Sequence, residues 1–168
     1  MGPEQSNGVW RAIWAEYSPR LLLFARQQTP ALSEAEDIVQ EAFIRYWKAR
    51  EKEPDLPQTL LFTMVKRIAT DHARKLESRR LREAEAQALE ASEAFFAPTV
   101  EERERQEFIE ASLRALPGEQ REVLVLKIWG GLTFEEIGRT LEISPNTAAS
   151  RYRYGLTQLK TLLTPALP

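Results

Sequence analysis

The stretch from Leu132 to Leu163, LTFEEIGRTLEISPNTAASRYRYGLTQLKTLL, constrains the fold more than any other. It holds two helix starts with room between them for only a tight turn. Thr133 with Glu136 three positions on is a capping box, in which each side chain satisfies a backbone N–H that the helix leaves orphaned. Ser144 followed by Pro145 is an N-cap and then a proline at the first helical position, where a missing N–H costs nothing. Ile137 and Leu141 give the first helix an apolar face, and Ala148, Tyr152, Leu156, Leu159 and Leu163 give the second a longer one. A short helix, a turn through Leu141, Glu142 and Ile143, then a longer helix is the plan of a helix-turn-helix. In that plan the second helix enters the DNA major groove and its N-terminal residues meet base edges, here Pro145, Asn146, Thr147, Ser150 and Arg151. The same pattern also suits an αα-hairpin with no DNA role. The window is hardly basic, with Arg139, Arg151, Arg153 and Lys160 set against Glu135, Glu136 and Glu142.

The rest of the chain supports an all-α fold. Strand-like alternation is nowhere sustained over the 168 residues, and about one residue in ten is Gly or Pro. There is no cysteine, which rules out disulfides, cysteine-based zinc sites and thiol catalysis, and agrees with a reducing compartment. The N-terminus MGPEQSNGVW lacks a basic-then-apolar signal pattern, and no run approaches a membrane span of ~20 residues. The expected location is therefore cytoplasmic, without membrane insertion. The net charge of −2 is unevenly spread. Lys66 to Arg82 carries seven cations against Asp71 and Glu77, whereas Glu83 to Glu107 carries eight glutamates against Arg103 and Arg105. A basic stretch beside an acidic one reads as a nucleic-acid surface followed by a solvated connector.

In chain order, Val9, Trp10, Ile13, Trp14 and Tyr17 recur at helical spacing. Ser18-Pro19 reads as a second helix start, leading into Leu21 to Phe24 and ending near Thr29-Pro30. Ser33 with Glu36 forms another capping box, opening a helix to about Arg50 with Ile38, Val39, Ala42, Phe43, Tyr46 and Trp47 on one face. After Pro54 and Pro57 a helix from about Gln58 carries Leu61, Met64, Val65, Ile68, His72 and Leu76. These segments make one helical domain over 1–82. Residues 83–100 read as a flexible acidic linker containing Phe95 and Phe96. Residues 101–168 make a four-helix unit, in which Phe108, Ile109, Leu113 and Leu116, then Val123, Leu124, Leu126 and Ile128, precede the helix-turn-helix.

Two separated stretches then resemble one family. EAEDIVQEAFIRYW, from Glu34 to Trp47, resembles the segment with which bacterial sigma factors grip the clamp of RNA polymerase. Ala115 to Leu159 resembles their promoter-reading C-terminal domain. The domain order and size are similar to those of the compact extracytoplasmic-function group. The resemblance implies that core RNA polymerase, through its clamp and flap regions, and promoter DNA are the partners, with an anti-sigma factor as a further one. It implies a polymerase-binding face of Asp37, Gln40, Glu41 and Arg45, whose spacings of three and four place them together on one helix. It implies minus-ten contacts by Lys66, Arg67, Asp71, Arg74 and Lys75, with a pocket for a flipped base over 53–59. It implies minus-thirty-five contacts by Pro145, Asn146, Thr147, Ser150, Arg151 and Arg153, with Lys160 toward phosphate. The sequence departs from the family pattern at Leu60 (often Trp), Arg67 (often Asn), Glu142 (often Gly), and Ala149 and Tyr154 (often basic).

The expected function is promoter-specific transcription initiation with core polymerase, by a protein that is not itself an enzyme and needs no metal or cofactor. No nucleophile–base pair, metal set or glycine-rich phosphate loop is present, and a single histidine, His72, cannot build the usual triad. The alternatives are a stand-alone helix-turn-helix regulator and a protein-interaction adaptor derived from a sigma factor.

Overall fold

An apolar stripe runs without interruption along α1 (Pro3–Ala25), from Ile13 through Tyr17 to Leu21 and Phe24. The computed structural model describes residues 3–80 and 108–164, and every regular element among them is a helix. They fall into two compact units, one with three helices and one with four.

In the first unit, α1 packs on α2 (Leu32–Lys52) and α3 (Leu60–Arg80), and α2 packs on α3. The core is Leu21 and Phe24 from α1, Ile38, Val39, Ala42, Phe43 and Tyr46 from α2, and Leu61, Phe62, Val65, Ile68 and Ala69 from α3. Trp10 lies edge-on to both Phe43 and Trp47 with centroids 5.2 Å apart, an arrangement that adds to the area buried. The expected helix start at Ser18-Pro19 does not occur, because α1 passes straight through Pro19. A proline there forfeits one backbone hydrogen bond. Burial of Ile13, Leu21 and Phe24 on one continuous face, with Pro19 exposed on the other, outweighs that loss. The expected Ser33–Glu36 capping box does not form either. The helix begins earlier, at Leu32 after Ala31, without a side-chain cap. Its first turn is held by Glu34, which accepts a hydrogen bond from the Thr29 hydroxyl. Tyr46 is buried, and its hydroxyl donates to the Leu56 carbonyl at 2.8 Å, which fastens the loop between α2 and α3 to the core.

The second unit comprises α4 (described over 108–114), α5 (Gly118–Ile128), α6 (Phe134–Leu141) and α7 (Pro145–Leu163). Its core is Leu113, Leu116, Val123, Leu124, Val125, Leu126, Leu132, Ile137, Ala148 and Leu159. Two residues expected inside, Phe108 on α4 and Ile128 on α5, are exposed, while Val125 on α5 is fully buried. The linker expected over 83–100, with Phe95 and Phe96, lies outside the described residues.

Both helix starts of the helix-turn-helix form as their sequences dictate. The Thr133 backbone N–H donates to Glu136 Oε2 at 2.8 Å, and the Glu136 N–H donates to Thr133 Oγ1 at 3.2 Å. Ser144 Oγ accepts the Thr147 N–H at 3.0 Å. Between them Glu142 adopts the left-handed conformation, φ 57° and ψ 42°. The turn closes tightly enough that a Cβ on Gly138 would sit 2.7 Å from the Ile143 carbonyl oxygen, so only glycine fits. Phe134 meets Tyr152 edge-on at 5.8 Å and fastens α6 to α7.

Candidate nucleic-acid interface

The N-terminal half of α7 is left free by this packing. Ala148 is buried and anchors the helix, while Pro145, Asn146 and Arg153 are exposed and Thr147, Ser150 and Arg151 are half-buried. Gly155 allows close approach to α5, since a Cβ there would meet Leu124 Cδ1 at 3.0 Å and Gln120 Cβ at 3.1 Å. That approach creates an open concavity of about 410 Å³ beside the first two turns of α7. Asn146, Thr147, Ser150, Arg151 and Tyr154 form one wall; Pro117, Glu119 and Gln120 form the other. Four of the six residues expected to meet duplex DNA are therefore gathered around one surface, with Pro145 and Arg153 outside its lining. Arg153 lies instead with its guanidinium carbon 5.8 Å from the centroid of the exposed Tyr154 ring. Sequence reasoning missed Glu119, whose Oε2 lies 2.8 Å from Arg151 Nη2. Periodicity within one helix carries no signal for a pair made between two helices.

On α3, a turn of 100° per residue sets Arg67, Asp71 and Arg74 within roughly 60° of one another, with Lys75 about 40° beyond Asp71. All four are exposed. Lys66 is half-buried and roughly 100° from Arg67. Its Nζ donates to Gln28 Oε1 at 2.8 Å, in the turn after α1, which sets it at the margin of the surface of the other four.

On α2, Asp37, Gln40 and Glu41 share a face, and Arg45 lies at its edge beside Glu41, with which it pairs. Ile44 stands in the middle of that face and is 54% exposed, a residue that sequence reasoning passed over because its neighbours are polar. Glu41 also lies 3.6 Å from Nε2 of His72 on α3. His72 is thus a surface contact between helices. Among the described residues no group of three or more His, Asp or Glu side chains could hold a metal ion, and no helix is long and apolar enough to cross a membrane.

Comparison with known proteins decides the family. Residues 13–80 match sigma-70 region 2, and residues 106–159 match sigma-70 region 4. The chain belongs to the sigma-70 family. It is similar to the ECF RNA polymerase sigma factor SigK of Mycobacterium tuberculosis, at 31% identity over 135 residues that cover 77% of this chain and 72% of the relative. It is also similar to the RNA polymerase sigma factor CarQ of Myxococcus xanthus, at 29% identity over 94% of this chain and 91% of that one. A solved structure of the sigma factor RpoE from Bartonella quintana, in complex with the anti-sigma factor NepR, shares the fold with a TM-score of 0.69. At 18% identity the match covers 92% of this chain and 96% of that one. The chain is accordingly a sigma factor of the ECF kind, directing promoter-specific transcription with RNA polymerase. The all-helical fold with a region 2 and a region 4 domain agrees with the expectation, and the stand-alone regulator is not favoured.

Proposed function

We propose that this sigma factor divides promoter recognition among three surfaces. The α2 face of Asp37, Gln40, Glu41 and Arg45 docks the polymerase clamp. The α3 face of Arg67, Asp71, Arg74 and Lys75 captures the melted minus-ten strand, with Lys66 at its margin. The first turns of α7, through Pro145, Asn146, Thr147, Ser150, Arg151 and Arg153, read the minus-thirty-five duplex. The domains run over 1–82 and 101–168, joined by 83–100, and the second also contacts the flap. The protein acts in the cytoplasm by binding alone, without a catalytic step, and an anti-sigma factor is a further partner, as for the Bartonella relative.

The observation that carries this reading is the exposed start of α7. Its cap and first two turns offer hydrogen-bonding side chains to solvent while the remainder of the helix is fastened to α5 and α6. Direct readout requires such groups at base edges, and phosphate contacts only set register. On α3, exposed cations flanking Asp71 suit a single strand, whose backbone is held by charge.

Run-off transcription with core polymerase and a promoter library tests the whole. Initiation that requires both polymerase and this protein is expected; none at any promoter refutes the reading. The clamp face is tested by Asp37→Lys rather than at Glu41, because Glu41 already holds Arg45 and His72. Loss of core binding with an unchanged circular dichroism spectrum is expected. Retained affinity would remove the clamp role from this face.

A further inference from the structure

Glu119 and Arg151 meet across two helices on the surface proposed to face DNA. Glu119 lies in the first turn of α5 and Arg151 in the second turn of α7, with 2.8 Å between Oε2 and Nη2. The Arg151 side chain is only 26% exposed, whereas that of Glu119 is 71% exposed. The pair spans the concavity that also presents Asn146, Thr147 and Ser150. A carboxylate there opposes affinity, because non-specific binding grows with the number of phosphates neutralised.

We propose that Glu119 is a specificity-determining residue of the upstream-element reader: it positions the guanidinium of Arg151 for a base edge and cancels its charge toward phosphate. The inference rests on the reading of α7 given above. Arginine has five N–H donors in a rigid fork, so a carboxylate on one edge leaves the other edge available. Guanine offers N7 and O6 as a matching pair of acceptors in the major groove. The side chain is ordered before DNA arrives, so less rotamer freedom is lost on binding. The same ion pair leaves little net charge for a random phosphate. Both effects widen the gap between the correct duplex and an incorrect one.

The test uses holoenzyme reconstituted from core polymerase and the full chain. A promoter pool randomised over the upstream element supplies the preferred duplex, and a scrambled duplex serves as its reference; binding to each is measured over a range of salt. Glu119→Gln keeps the size and removes the charge. It is expected to lower discrimination by about fivefold or more, the low end for one bidentate base contact. It is also expected to tighten the scrambled duplex and to steepen its salt dependence by about one unit. In an Arg151→Ala background both effects should vanish. Unchanged discrimination with unchanged salt slope overturns the proposal, as does equal weakening of both duplexes, which marks a merely structural role. If Arg151→Ala itself leaves discrimination intact, the reading of α7 fails. If Arg151→Ala lowers discrimination and Glu119→Gln does not, only the role of Glu119 fails.

Discussion

Glu142 joins α6 to α7 in a conformation that suits glycine, so replacing it should make the helix-turn-helix more stable. Its φ of 57° and ψ of 42° lie in the left-handed region, where an L side chain crowds the following carbonyl at roughly 1–2 kcal/mol. Glycine pays none of this, but its unfolded chain is freer by about 0.5–1 kcal/mol. The net gain for Glu142→Gly is therefore about 0.5–1 kcal/mol. The flanking geometry does not change, because the backbone N–H groups of Glu142 and Ile143 both donate to the Gly138 carbonyl in the conformation already present. For a unit of this size 1 kcal/mol corresponds to roughly 4–8 °C in Tm, so the transition of the second unit should rise by about 2–8 °C in calorimetry of the full chain. Native-state hydrogen exchange gives an independent reading, since amides of α6 and α7 that open with the whole unit should slow about two- to fivefold. Glu142→Ala is the control, because it removes the carboxylate and keeps the strain. Equal stabilisation by Ala and Gly would show that charge and not backbone conformation sets the effect. A fall in Tm with Gly would refute the strain argument outright.

The other predictions concern the caps, the loop anchor and the charge. Ser144→Ala removes the acceptor of the Thr147 N–H and should cost about 1 kcal/mol, read by chemical denaturation of the second unit, with a parallel loss of upstream-element binding. Burial raises the pKa of Tyr46 above its ordinary 10.0, with Arg50 opposing part of the shift. The unfolded chain then releases this proton first, so its contribution is intact below about pH 10 and is lost as pH rises through the higher folded value. Tyr46→Phe should flatten the alkaline stability profile of the first unit while costing about 1 kcal/mol at neutral pH for the lost bond to Leu56. Equal slopes in the two proteins would contradict the assignment. With Arg151 paired, Arg153 and Lys160 are the cations α7 offers to phosphate, so the region 4 domain alone should show a salt slope near −2 on duplex DNA. A slope steeper than about −5 would mean that other cations reach the backbone.

Local chemistry was most legible where it is decided within a few residues. The Thr133–Glu136 box and the Ser144-Pro145 start are each set by neighbours within four positions, and each stands in the structure as the sequence implies. The failures share one cause. Ser18-Pro19 carries a valid start signal, yet the apolar face on both sides of it is buried by α2 and α3, and packing overrides the local preference. Ser33 and Glu36 have capping-box spacing, but Thr29 and Glu34 hold the first turn instead. The pairing of Glu119 with Arg151 had no local signature at all, because the approach of α5 to α7 at Gly155 creates it.

That pairing alters the meaning of the weak charge on α7. Counted along the sequence, Arg151, Arg153 and Lys160 already make a light DNA reader. With one of the three paired to Glu119, the proposed reading leaves Asn146, Thr147 and Ser150 to supply much of the contact, groups that discriminate between bases and attract phosphate little. A reader of this kind binds poorly by itself and selects well once it is delivered. Delivery in a sigma factor comes from its polymerase partner. On the roles proposed above, with α3 meeting a strand only after melting and α7 meeting intact duplex, placing cations on α3 and withholding them from α7 weakens capture at random sites. It leaves the gain from charge to the step at which the promoter is already chosen.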